Sequence, residues 1–152
     1  MELANVNLNL AKKGIHIDKK LKGLKWITPY YPDKVQEEIS LIQNTIIHLK
    51  KVKENTMVIT DYQFFSSILE KDLMSPNRWY TTDGVSYPLK NNKYFSDYKK
   101  YFVNLVSSKK INLIYTVIPI EVDAINIIFE ENCLETIQIN HILYKHKLHE
   151  CY

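Results

Sequence analysis

Val35, Ile39, Ile42, Ile46 and Leu49 recur at steps of three and four residues, and no other feature of the chain constrains its fold as strongly. On a helix of about 3.6 residues per turn those steps draw a single apolar stripe, so the segment after Pro32 reads as a core-facing amphipathic helix. Asp33 stands where a cap is needed and Gln36, three residues on, completes a capping box. Val52 extends the stripe, whereas Glu37, Glu38, Lys50 and Lys51 fall largely off it.

Two β-prone segments flank this helix. Residues 24–28 (LKWIT) are short and stopped by Pro29, and residues 57–60 (MVIT) read as a more deeply buried strand. Strand, helix and strand within 37 residues make a βαβ unit, the building block of a parallel sheet. The pattern continues with a short helix over 62–69 and a longer one over 93–107, with Tyr94, Tyr98, Tyr101, Phe102 and Leu105 spaced for one face. Residues 111–118 are nearly all apolar and β-branched, which predicts a central buried strand. A third short helix over 123–130 precedes a last strand over 137–145, with Ile137, Ile139 and Ile142 expected to face inward.

This order predicts an α/β three-layer sandwich around a mostly parallel, Rossmann-like sheet of four to five strands. The strands near Trp26, Val58 and Ile114 are expected to be mutually parallel and buried. Residues 1–19 read as an N-terminal arm or an edge hairpin around Gly14, residues 20–145 as a single domain, and residues 146–152 as a C-terminal tail.

Length and composition agree with a folded unit. A chain of 152 residues with 45% hydrophobic and 24% charged residues is the size of one ordinary domain, neither disordered nor fibrous. The longest stretch without a charge is the eleven residues 39–49, and a helical membrane span needs about 20 apolar ones. The first residues lack the apolar core of a signal peptide and carry an acid at Glu2. The chain therefore reads as soluble.

Charge and motif content exclude several chemistries. Lysine supplies 19 of the 20 cationic side chains behind the net +3, with Arg78 the only arginine, so the bidentate contacts that read guanine and phosphate are scarce and no nucleic-acid partner is expected. Only Gly14, Gly23 and Gly84 occur, which excludes G-x-G-x-x-G and the P-loop, whose glycines let the backbone approach phosphate. G-x-S-x-G and H-E-x-x-H are absent too, and no cofactor is expected. His141, His146, His149 and Cys151 cluster near the C-terminus, but on an extended strand His146 and His149 point to opposite faces, so no metal site is expected there. Cys133 and Cys151 are too few for a disulfide framework; they either remain free thiols or pair in an oxidising compartment.

Two stretches remain as candidate sites. Asp61, Tyr62 and Gln63 follow the strand at 57–60, and ligands in open α/β sheets bind beyond the carboxyl ends of strands. Asp61 is equally an N-cap for the helix expected next. The second is the long connection 72–92, which contains WYTTDGVSYP. Asp83-Gly84 is a favoured two-residue hairpin turn, and it sets Tyr80 opposite Tyr87 and Trp79 opposite Pro88, with Arg78 at the base. Such rings either form a platform for a sugar or peptide or plug the hairpin onto the core.

The phrases LKGLKWITP (21–29), VITDYQFFSSIL (58–69), SPNRWYTTDGVSYP (75–88) and INLIYTVIPI (111–120) together resemble the C-terminal soluble domain of bacterial multi-pass glycosyltransferases similar to dolichyl-phosphate-mannose protein mannosyltransferases. The resemblance covers about residues 20–145. It implies a non-catalytic accessory domain of an enzyme using a lipid-linked sugar, on the extracytoplasmic face, with the membrane part of the same parent chain and a glycan or peptide acceptor as partners. In that class the catalytic acid lies in a loop between membrane helices, so no catalytic residue carries over. A stand-alone α/β enzyme using Asp61 with Arg78 or Asp83, cytoplasmic in that case, and an interaction module using the 79–87 hairpin are the competing readings.

Overall fold

The apolar stripe folds as its spacing dictates. In the computed structural model, described at residues 6–62, 64–77, 88–117 and 123–149 with backbone only at 123 and 124, α1 spans Val35–Lys51 and buries Val35, Ile39, Ile42, Ile46 and Leu49. Glu38 departs from expectation: it lies within the stripe and is fully buried. The chain divides into two compact units, Met1–Lys51 with Ser67–Glu70, and Val52–Ser66 with Lys71–Tyr152.

The first unit contains α1 and an N-terminal segment built from 3-10 turns at Leu8–Leu10, Gly14–His16 and Lys19–Leu21. Two short strands, β1 (Lys12–Lys13) and β2 (Lys25–Trp26), pair antiparallel, and the Gly14 N–H closes the ladder on the Leu24 carbonyl at 2.8 Å. A Cβ at position 14 would lie 2.6 Å from the Leu21 carbonyl oxygen, so only glycine fits without moving backbone. Lys20 Nζ donates to Glu70 Oε1 at 2.6 Å and to the Ser67 carbonyl at 2.7 Å.

The second unit is built on a four-stranded sheet of β3 (Thr56–Ile59), β4 (Leu113–Val117), β5 (Leu134–Gln138) and β6 (Leu143–Leu148), in the order β3-β4-β6-β5. Only β3 and β4 run parallel; β4 with β6 and β6 with β5 are antiparallel. The expected mostly parallel, Rossmann-like sheet is thereby overturned. Two local causes account for it. The segment around Trp26 forms a two-residue ladder with β1 instead of joining the parallel pair. The apolar alternation over 137–145 is not one strand but the turn of a hairpin: the Asn140 side chain accepts the N–H groups of Ile142 and Leu143 at 2.9 Å each, and this Asx turn sends β6 back along β5.

Continuous apolar runs do mark buried strands here, since every residue of β3 and β4 is buried. One face of the sheet contributes Met57, Ile59, Ile114 and Leu148 to a cluster completed by Phe102 and Val106 of α3 (Phe95–Ser108), Ile125 of α4 (Asp123–Asn126), Ile111, Ile128 and Phe129. The Phe102 and Phe129 rings meet edge to face at 5.7 Å. On α3 the inward positions are Tyr98, Phe102, Leu105 and Val106, while Tyr94 and Tyr101, expected on the same face, are 59% and 50% exposed. Among the described residues no helix is long and apolar enough to cross a membrane.

Candidate functional site

β3 delivers the chain to the first candidate site. Its four residues are buried, and Thr60, also buried, accepts the Tyr62 N–H on Oγ1 at 3.0 Å, a turn that ends the strand. The following helix, α2 (Phe65–Leu69), begins only at Phe65, which places Asp61 three residues ahead of the N-cap position. The Thr60 hydroxyl takes part in the turn, and Asp61 stands half-buried between strand and helix.

Aromatic rings crowd this turn. Tyr62 is buried and stacks on Phe64 at 5.8 Å between centroids with 15° between planes, and Phe64 meets Phe65 at 4.8 Å. Val58, Thr60, Tyr62, Phe65, Ser66, Leu73 and Ser75 line a cavity of about 20 Å³, room for about one water molecule or one hydroxyl group. A second segment lies along the free side of β3, where the Val58 N–H donates to the Met74 carbonyl at 2.9 Å.

From there, residues 75–77 are held in place by α3. Tyr98 donates its hydroxyl proton to Asn77 Oδ1 at 3.2 Å and Tyr101 donates to the Pro76 carbonyl at 3.0 Å, while Ser75 Oγ donates to the Asn77 carbonyl at 2.8 Å. The structure therefore brings Asp61 and Tyr62 to one strand end. Gln63, Arg78, Trp79, Tyr80, Asp83 and Tyr87, with the hairpin expected around Asp83-Gly84, lie outside the described residues.

Two polar positions escaped the sequence reading. Glu38 accepts the indole N–H of Trp26 on Oε2 at 3.0 Å and the Thr28 hydroxyl on Oε1 at 2.7 Å, so the buried carboxylate of α1 anchors the strand segment before it. Its signal was present in the periodicity: Val35, Glu38, Ile42, Thr45 and Leu49 follow the same three-and-four steps as the isoleucines. His146 belongs to β6 and is fully buried, with Thr116 Oγ1 3.0 Å from Nε2 and Thr136 Oγ1 2.9 Å from Nδ1. Burial lowers its pKa to about 4, so the ring is neutral at pH 7, one nitrogen donating and the other accepting.

Among the described residues no group of three or more His, Cys, Asp or Glu side chains is placed to hold a metal ion. Cys133 is disulfide-bonded, which corrects the free-thiol alternative for it. No protein family, curated protein or solved structure matches the chain.

Proposed function

We propose that this chain is a non-catalytic accessory domain of a membrane-embedded glycosyltransferase that uses a lipid-linked sugar donor, and that it contacts the acceptor or glycan at the carboxyl end of β3. The observation that carries this reading is the half-buried Phe64 ring, backed by buried Tyr62 and close to half-buried Asp61, with Thr60, Ser66 and Ser75 lining the small cavity at Tyr62. A sugar ring has an apolar C–H face that lies on aromatic rings and a polar edge that hydrogen-bonds carboxylates and hydroxyls. The cavity takes a single hydroxyl group and not a whole ring, so contact is shallow and affinity weak. Weak holding of a substrate suits an accessory role.

The quoted phrases over residues 21–29, 58–69, 75–88 and 111–120 support the membrane-enzyme parentage. The disulfide at Cys133 supports an extracytoplasmic setting, since structural disulfides persist in oxidising compartments. The reading frame tests the proposal. It expects a series of hydrophobic spans of about 20 residues each, encoded in frame ahead of this segment. A stop codon and ribosome-binding site directly before Met1 would sink it.

A further inference from the structure

Basic charge gathers in two stretches of this protein, residues 12–25, where six lysines stand against Asp18, and residues 89–110. Residues 89–110 carry six lysines, at positions 90, 93, 99, 100, 109 and 110, against one carboxylate, Asp97: a net +5 in a chain whose total is +3, leaving −2 for the remainder. This stretch is α3 with its flanking turns. Lys100 stands exposed on its outer surface with Ser96 and Asn104, away from the side that buries Phe102 and Val106, while half-buried Lys99 flanks that surface and Val103 packs against the core.

Exposed rings and an exposed aliphatic side chain lie among these lysines. Leu89, Tyr94 and Tyr101 are 49%, 59% and 50% exposed, and the Lys93 ammonium sits 4.7 Å from the centre of the Tyr94 ring. Tyrosine with lysine at a helix surface is the composition of a membrane–water interface, where rings sit at headgroup level and lysine stems reach anionic phosphates. We infer that the α3 face is a docking surface for an anionic phospholipid bilayer, held by electrostatics at headgroup depth. Ser96, Asn104 and Ser107 on the outer side exclude deep insertion, because they would lose water without gaining partners.

The charge type favours lipid over nucleic acid. All six cations are lysines, point charges suited to a headgroup layer, and none is the arginine fork that clasps phosphate and bases bidentately. The inference goes beyond the accessory-domain reading and does not rest on it, for a stand-alone chain would bind in the same way. Failed vesicle binding therefore leaves the reading-frame test intact.

Sedimentation with vesicles decides the matter. The chain should partition onto phosphatidylglycerol–phosphatidylcholine vesicles at low salt, release at high salt as screening shortens the field, and ignore pure phosphatidylcholine. Each lysine near the surface contributes roughly fivefold, so Lys99→Gln with Lys100→Gln should lower partitioning roughly 25-fold at an unchanged melting temperature. Lys90→Gln with Lys93→Gln, ahead of the helix, gives the same reading should the first pair disturb folding. Partitioning that is equal on neutral vesicles, or unchanged in both double variants, overturns the inference. Tighter binding to a random DNA duplex than to anionic vesicles at the same salt overturns it as well, and assigns the face to nucleic acid.

Discussion

The two halves of the four-stranded sheet obey different rules. β3 and β4 are parallel, mostly apolar and buried along their whole length, whereas β5, at the opposite edge, exposes four of its five residues. Where both faces of a strand are covered, each position demands an apolar side chain and the sequence becomes a continuous run. Where one face and one edge meet solvent, apolar residues do not report which way they point. Ile137 and Ile139, expected inward, are 44% and 37% exposed, and of that set Ile142 alone is buried.

The widest separation between the halves should appear on truncation in the core of the covered half. Phe102→Ala removes a fully buried ring packed over Met57, Ile59 and Ile114, and should cost about 3 to 5 kcal/mol in denaturant unfolding. A loss no larger than that of a surface substitution would mean that the β3–β4 half is not the stable one.

The seam between the halves carries His146, and pH probes it. The folded pKa of about 4 lies below the usual value of 6.5, so the unfolded chain binds the proton more readily between those values. Stability should be full above pH 6.5 and fall as pH drops towards 4, by about 3 kcal/mol in all, levelling below that. His146→Gln should remove most of this slope in a series of melts; an unchanged slope would place the titrating group elsewhere. A smaller loss is expected from Thr116→Val, which strands Nε2 of a buried ring and should cost about 1 to 3 kcal/mol. The smallest effect belongs to the open edge: Ile137→Ala should stay within about 0.5 kcal/mol, and a larger cost would show that β5 is covered in solution.

The same contrast explains what was legible in the residues. α1, β3 and β4 could be read because their patterns are long or unbroken, and tertiary context had nothing to override. The topology could not, because it turns on short-range chemistry: the Asx turn at Asn140 and a two-residue ladder at Trp26 decide which strands pair, and neither leaves a periodic trace. At the site, the strand-end rule located Asp61 and Tyr62, but the helix start was placed too early, because the Thr60 hydroxyl takes the Tyr62 N–H into a turn and α2 begins only at Phe65. Glu38 and His146 were missed for a common reason. A charged or titratable residue is assigned to the surface by default, and only partners distant in sequence, Trp26 and Thr28 for one and Thr116 and Thr136 for the other, make burial tolerable.

The claim that the carboxyl end of β3 contacts glycan is tested most directly by an NMR titration of the chain with disaccharides of mannose, glucose and N-acetylglucosamine. The account predicts saturable amide shifts centred on Asp61, Tyr62, Phe64, Phe65 and Ser75 for at least one of them, with affinity of about millimolar and weakened in Asp61→Asn. Shifts that are absent for all three sugars, or centred away from this turn, would contradict it.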